Sequence, residues 1–291
     1  MKPPPFEYLV PETLEETLEV LDGADDDVKL LAGGQSFLPL LSLRLARPSL
    51  LVDINQISEL SWLRVEANQV EIGAMIRESA LEHSQELRSA VPLIAEAIPL
   101  IGHVAIRTRG TLGGSMAHAD PAAELPAVAI ALDATFSMRS KARGERTLSA
   151  QDFFQGYFTT ALESDEVLTS IRFPRIKPGT GHAIAEVARR HGDFAMAGTA
   201  ASVTIHDDII TEASLALFSM AEVPLRAETA ETALVGSAPS SKLFAEVADL
   251  ATRDLDPPED LHASANYRCT IGATCVRRSL ELAVRRAKGR A

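Results

Sequence analysis

Val28-Lys29-Leu30-Leu31-Ala32-Gly33-Gly34-Gln35-Ser36 reads as a short buried strand that runs straight into a glycine turn, and residues 37–45 beyond it have the apolar content of a helix. Ser36 is placed as the N-cap, Pro39 falls in the first turn where its missing N–H does little harm, and Pro48 marks the exit. Leu50-Leu51-Val52-Asp53-Ile54 supplies a second buried strand. The opening part of the chain is therefore expected to hold a βαβ unit, whose connection length makes its strands parallel.

Upstream, Thr13 is a candidate N-cap for a helix with Leu14, Thr17, Leu18 and Leu21 on one face, ended by the acidic stretch at residues 22–27. Downstream, residues 62–65 and 70–72 flank Glu66-Ala67-Asn68-Gln69 as a hairpin that opens a second unit. Helical periodicity covers residues 78–101, interrupted at Pro92 and Pro99. A second glycine cluster follows, Arg107-Thr108-Arg109-Gly110-Thr111-Leu112-Gly113-Gly114-Ser115, and after Ala119-Asp120-Pro121 an apolar helix is expected over residues 122–132. Residues 134–139 and 167–173 read as strands on either side of a polar hairpin and the aromatic run Phe153-Phe154-Gln155-Gly156-Tyr157-Phe158.

The Pro and Gly density of residues 174–181 marks a division, giving domains at 1–175 and 176–291, the first with subdomains at about 1–57 and 58–175. Beyond the division, strand-like runs near residues 182–187, 200–205 and 212–218 precede helical stretches near 227–235, 243–250 and 272–286. Strands first and helices afterwards describe an α+β domain.

Composition narrows the function. A net charge of -12 opposes binding a polyanion through bulk electrostatics, so any phosphate must be held locally by backbone N–H groups and helix ends. Two cysteines, Cys269 and Cys275, cannot supply an iron–sulfur cluster or a closed zinc site, and the seven histidines show no ligand spacing. No segment has the run of apolar residues that a membrane helix needs, and the start, Met1-Lys2-Pro3-Pro4-Pro5, shows no secretory pattern, so a cytoplasmic protein is expected.

Glycine allows close backbone approach and positive φ, and consecutive N–H groups at such a turn form a concave anion site. Either glycine pair alone is most simply a tight turn; both, ahead of apolar helices, suggest two loops facing one diphosphate. Gly-x-Gly-x-x-Gly and Gly-Lys-Ser/Thr are absent, which removes the Rossmann and P-loop readings. No Lys or Arg lies between Gly33 and Leu43, leaving N–H dipoles and hydroxyls such as that of Ser36 for a phosphate there. There is no Gly-x-Ser-x-Gly elbow and no credible cysteine nucleophile, so the chain offers a cofactor pocket without an acid–base machine.

Ala32-Gly33-Gly34-Gln35-Ser36, Thr111-Leu112-Gly113-Gly114-Ser115 with Ala119-Asp120-Pro121 and Glu124, and Arg189-Arg190-His191-Gly192-Asp193-Phe194-Ala195 together resemble the FAD-binding medium subunit of molybdenum hydroxylases of the carbon monoxide and xanthine dehydrogenase type. The resemblance spans nearly the whole chain, and it implies an α+β protein. Its parts would be a two-subdomain FAD-binding domain of the vanillyl-alcohol-oxidase (PCMH) type and a smaller C-terminal α+β domain.

It further implies FAD contacts from Leu31, Ala32, Gly33, Gly34, Gln35, Ser36, Phe37 and Leu38, and from Thr111, Gly113, Gly114, Ser115 and Ala119. Ile101, Asp120, Glu124, Leu168 and Phe194 complete that set. No catalytic residue or metal site is implied on this chain. By resemblance the molybdenum cofactor and 2Fe-2S clusters sit on a large and a small partner subunit of a hetero-oligomer, which is doubled. Phe194 stands where relatives often carry Tyr, and Glu186 where many carry Lys beside the flavin. His118 could donate to flavin or phosphate, or be a satisfied loop histidine. Two other readings are a free-standing flavin oxidase or reductase of the same fold, and a scaffold protein without the cofactor.

Overall fold

The structure is a computed structural model that describes residues 2–24 and 27–289. Its first layer is a three-stranded parallel sheet. β1 (Glu7–Leu9) is followed by α1 (Leu14–Leu21), β2 (Val28–Leu31), α2 (Phe37–Ser42) and β3 (Leu50–Asp53), and the strand order is β1-β3-β2 with both pairs parallel. The expected βαβ unit is present, with β1 added at its edge; three residues with the flanking prolines gave no strand signal. Thr13 caps α1, its hydroxyl accepting from the Glu16 amide at 3.2 Å, and Leu14, Leu18 and Leu21 are buried against Val52, Ile54 and Ile57. Each such leucine contributes about 1.5–3 kcal/mol by leaving water. Asp25 and Asp26 of the acidic stretch lie outside the described residues, and Asp22 closes the helix. α2 ends at Ser42 rather than residue 45, because Arg44 takes a left-handed backbone with φ of 61°.

The second unit differs in kind from the first. β4 (Leu63–Val65) and β5 (Gln69–Gly73) form the expected hairpin. The short helices α3 (Glu78–Glu82), α4 (Gln85–Ala90), α5 (Pro92–Ala97), α6 (Val104–Arg107) and α7 (Leu112–His118) follow, then α8 (Glu124–Ala131). β6 (Thr135–Ser140), β7 (Gly144–Ser149), α9 (Ala150–Phe153), β8 (Phe154–Gly156), β9 (Thr159–Thr160) and β10 (Glu166–Pro174) complete it. The sheet order is β4-β5-β10-β6-β7, antiparallel throughout. The second glycine pair therefore does not follow a parallel strand, as the first does. Every residue of α8 is buried, Glu124 included, which is the burial of a helix enclosed on all sides.

The C-terminal unit begins with β11 (Thr180–Ala188), β12 (Ala195–His206), β13 (Ile209–Phe218) and β14 (Leu225–Arg226), antiparallel in that order. Then come α10 (Glu228–Leu234), α11 (Ser241–Thr252) and α12 (Ala265–Ala287), matching the expected strands-then-helices order. Its sheet packs on α8, whose other neighbours include α5, α7 and α9. The Ser214 hydroxyl donates to the Ala131 carbonyl at 2.6 Å, and the Arg226 guanidinium reaches the Ile130 carbonyl at 3.0 Å and Asp133 at 2.7 Å. A cation on the last carbonyls of α8 complements the negative end of that helix. No helix among the described residues is long and apolar enough to cross a membrane.

Candidate functional site

The two glycine loops meet. The first leaves the carboxyl end of β2, and Gly34 turns it with φ of +73°, a conformation that costs glycine little. The Leu38 amide closes back on the Gly34 carbonyl at 3.0 Å. Among the described residues, the amides of Gly34, Gln35 and Ser36 have no protein acceptor, so they form the expected concave donor site. Ser36 precedes α2 but makes no side-chain capping bond, which leaves its hydroxyl free for a ligand.

The second loop works differently. Gly113 and Gly114 lie inside the first turn of α7, not in a turn ahead of the helix at residue 122. Their amides are already used: Gly113 donates to the Ala74 carbonyl at 2.8 Å and Gly114 to the Thr111 hydroxyl at 3.1 Å. Here glycine supplies room. A Cβ at Gly113 would stand 2.5 Å from the Ala74 methyl, and one at Gly114 would stand 3.6 Å from the Ala32 methyl of the opposite loop. A Cβ at Gly33 would stand 2.5 Å from the Arg109 carbonyl oxygen. The loops are in van der Waals contact, and at Gly33 only bare backbone lets them come so close.

They border a cleft of about 530 Å³, within the range of small-molecule sites. It is lined by Leu31, Ala32, Gly33, Gly34, Gln35, Ser36 and Phe37 on one side and by Thr111, Gly113, Gly114 and Ser115 on the other. Ile101, Asp120, Glu124, Leu168 and Phe194 also reach it. Two expected positions do not. Leu38 is exposed and packs over Gly34, and Ala119 is buried as the left-handed C-cap of α7 with φ of 50°. Sequence reading missed Lys29, Met75, Glu78 and Ile106 in the wall. Lys29 shares a strand face with Leu31, an expected cleft position, and so could have been found; Glu78 carried no signal beyond starting a helix.

Phe194 is 69% exposed, not a core aromatic, and it hangs into the cleft from the loop between β11 and β12. That loop rests on the second subdomain where Gly192, φ +87°, packs on Gly102 and His103. His118 stands in the last turn of α7, lines the cleft and lies 5.1 Å from the Phe158 ring; burial lowers its pKa, so the ring is neutral near pH 7.

Two carboxyls that line the cleft, Glu78 and Glu124, are shifted toward the neutral form by burial. Burial raises Glu78 and Glu124 to about 8, and the negative charges of Glu186, Glu78 and Asp120 push Glu124 in the same direction. Glu186, which its strand position alone would make a solvated residue, is half-buried with an unpartnered Oε2 and is raised to about 7 by burial. A neutral carboxyl can donate a hydrogen bond as well as accept one.

Free amides and hydroxyls at the glycine loops, a cleft that both loops border, and apolar walls with a few polar groups beyond suit a dinucleotide that carries both a diphosphate and a flat ring system. Comparison with known proteins agrees. Residues 4–176 match the family described as the FAD binding domain in molybdopterin dehydrogenase, and residues 182–283 the CO dehydrogenase flavoprotein C-terminal domain. The chain is similar to the caffeine dehydrogenase subunit beta of Pseudomonas sp. (strain CBB1), with 42% identity over 98% of this chain and 97% of that one. It is also similar to the carbon monoxide dehydrogenase medium chain of Hydrogenophaga pseudoflava, with 39% identity over 97% and 98%.

Among solved structures, carbon monoxide dehydrogenase from Hydrogenophaga pseudoflava matches with a TM-score of 0.95 at 41% identity over 97% of this chain and 98% of that one. Quinoline 2-oxidoreductase from Pseudomonas putida 86 matches with a TM-score of 0.93 at 37% identity over 100% and 99%. The glycine loops, the cleft they share and these likenesses over nearly the full length lead to one conclusion: the chain belongs to the FAD-binding medium subunits of the molybdenum hydroxylases and is an oxidoreductase subunit.

Proposed function

We propose that FAD lies along this cleft with its diphosphate between residues 32–36 and 111–115, and its ring system toward Ile101, Asp120, Glu124, Leu168 and Phe194. The observation that carries this reading is the contact of the two loops across one cleft, with the free amides of Gly34, Gln35 and Ser36 on one side and Thr111 and Ser115 on the other. Backbone dipoles hold the negative charge in an acidic chain, and Lys29 adds a nearby cation. When bound, FAD supplies the exchange between one-electron and two-electron partners. The protein's part is to orient the ring, exclude water with Leu168 and Ile101, and present neutral carboxyls at Glu78 and Glu124 instead of charges.

In this reading electrons arrive from an iron–sulfur subunit, which receives them from a molybdenum subunit, and leave to an acceptor outside the complex. The working unit combines a large, a small and this medium polypeptide, doubled by symmetry. A cytoplasmic setting accords with both thiols, Cys269 and Cys275, being free. The domain boundary falls at 175/176 and the subdomain boundary near 57/58, between β3 and β4. The test is to purify the chain alone and with its partner subunits, then compare flavin spectra and substrate-dependent dye reduction. FAD in both preparations with turnover only in the complex supports the reading, and turnover by the chain alone contradicts it.

A further inference from the structure

A side chain outside the cleft ties its two loops together. Arg77 pairs through its backbone with Thr111 in an antiparallel bridge, which fixes it to the second glycine loop. Its half-buried guanidinium then crosses between the subdomains. Nη1 donates to the Arg109 carbonyl, the same oxygen that faces Gly33, and Nη2 donates to Asn55 Oδ1 at 2.5 Å. Asn55 continues the link into the first subdomain, its Nδ2 donating to the Ala32 carbonyl at 2.8 Å and the Leu31 carbonyl at 3.3 Å. Asp53 anchors Asn55, accepting from its amide at 2.9 Å, and the Tyr8 hydroxyl donates to Asp53 at 2.5 Å. One chain of hydrogen bonds thus runs from the edge strand β1 beneath the first loop and up to the second.

The peptide plane gives this link a direction. In a trans peptide the C=O and the following N–H point opposite ways, so holding the Ala32 carbonyl down against Asn55 turns the Gly33 amide the other way. The link engages carbonyls, Leu31, Ala32 and Arg109, and leaves the amides of Gly34, Gln35 and Ser36 without acceptors among the described residues. It also persists against an electrostatic penalty: Arg77 is partly desolvated with the like charge of Arg109 nearby, and both lower its pKa, while Asp53 acts the other way. Only a forked, planar donor can hold two acceptors on two different subdomains in this way.

We propose that Arg77, acting through Asn55, is a positioning residue that sets the separation and aim of the two glycine loops and so tightens FAD binding without touching the cofactor. This rests on the reading that the cleft takes FAD. In a preorganised site the ordering of the loops is complete before the ligand arrives; without the strut, binding must supply it.

The test uses the full chain as wild type, Arg77→Met, Arg77→Lys, Asn55→Ala and the Arg77→Met/Asn55→Ala double variant. FAD titration by flavin fluorescence gives the dissociation constant, and the thermal midpoint of the FAD-free chain reports folding. Arg77→Met is expected to weaken FAD binding roughly tenfold to a hundredfold, Asn55→Ala about tenfold, and the double variant no more than Arg77→Met, because both changes cut one link. Arg77→Lys keeps the charge but not the fork, and is expected to recover less than half of the loss on a logarithmic scale. Should Arg77→Met fail to fold, Asn55→Ala and Arg77→Lys carry the same comparison. Single variants within twofold of a wild type that binds, or losses that multiply in the double variant, overturn the strut alone. A wild-type chain that takes up no FAD overturns the cleft reading and the strut with it.

Discussion

The Cα of Gly33 lies against the carbonyl of Arg109: a Cβ there would meet that oxygen at 2.5 Å, and the Gly110 Cα at 2.9 Å. Both obstacles are backbone, which cannot swing aside as a side chain can. Gly33→Ala is therefore expected to push the first loop off the second, costing about 1–3 kcal/mol of stability by overpacking and at least about tenfold in FAD affinity. Thermal melting and FAD titration of the variant measure the two losses. A variant with unchanged affinity would show that loop contact is dispensable.

Glu78 sets a pH dependence whose sign follows from burial. Its pKa is raised from 4.5 to about 8 in the folded chain, so between those values the unfolded chain binds fewer protons than the folded one, and stability falls as pH rises from about 4.5 to about 8. Glu78→Gln removes this contribution and is expected to be the more stable protein by on the order of 1–3 kcal/mol at pH 8, with little difference at pH 4.5. His182 acts in the opposite sense, because burial and Arg286 lower its pKa from 6.5 to about 4 and its neutral form is favoured as pH rises from about 4 to 6.5. The difference between Glu78→Gln and wild type cancels that background. Denaturant unfolding of the FAD-free proteins from pH 4.5 to 8.5 tests it, and parallel curves would refute the assignment.

Glu186 offers a test of the electrostatics around Glu124, which lines the cleft. Its unpartnered carboxyl lies close enough to raise the pKa of Glu124. Glu186→Lys replaces repulsion by attraction, so Glu124 is expected to ionise at lower pH. A positive charge in that position favours added electrons, and a rise in flavin midpoint potential of about 20–60 mV is expected, equivalent to roughly 1–3 kcal/mol for a two-electron couple. Spectroelectrochemical titration reads it. A fall in potential would place Glu186 elsewhere relative to the ring.

Much of this was legible in the residues themselves. The Val28–Leu31 strand, its glycine turn and the Leu50–Asp53 strand declared themselves because a parallel unit combines apolar runs with obligatory turn chemistry, although β2 proves to be an edge strand in which only Leu31 is buried. β1 did not, since an exposed three-residue edge strand has neither a run nor an alternation to show. The second glycine pair was visible as a motif, but its place inside α7 was not. A Gly-Gly at a helix start looks like a turn until Thr111 is seen to cap it. The site was legible where backbone geometry restricts the residue type, as at Gly33 and Gly34. Glu78 and the Arg77–Asn55 link stayed hidden because what they meet is distant in sequence: Arg77 reaches Arg109, 32 positions on, and Asn55, 22 positions back in the other subdomain, and Glu78 packs on Gly110.

The central claim, that a diphosphate lies between the loops, is tested most directly at Gly114, whose Cα faces Ala32 across the cleft. Gly114→Asn and Gly114→Asp add the same Cβ, 2.7 Å from the Thr111 hydroxyl, and side chains of nearly equal size, so they differ chiefly in charge at the mouth of the anion site. An aspartate in the first turn of α7 is favourable to the helix itself, so the FAD-free Asp variant should melt no lower than the Asn variant. Calorimetric titration with FAD is expected to give a dissociation constant for Gly114→Asp at least about tenfold above that of Gly114→Asn, equivalent to roughly 1.4 kcal/mol of charge repulsion. Equal dissociation constants for the two variants would contradict the account.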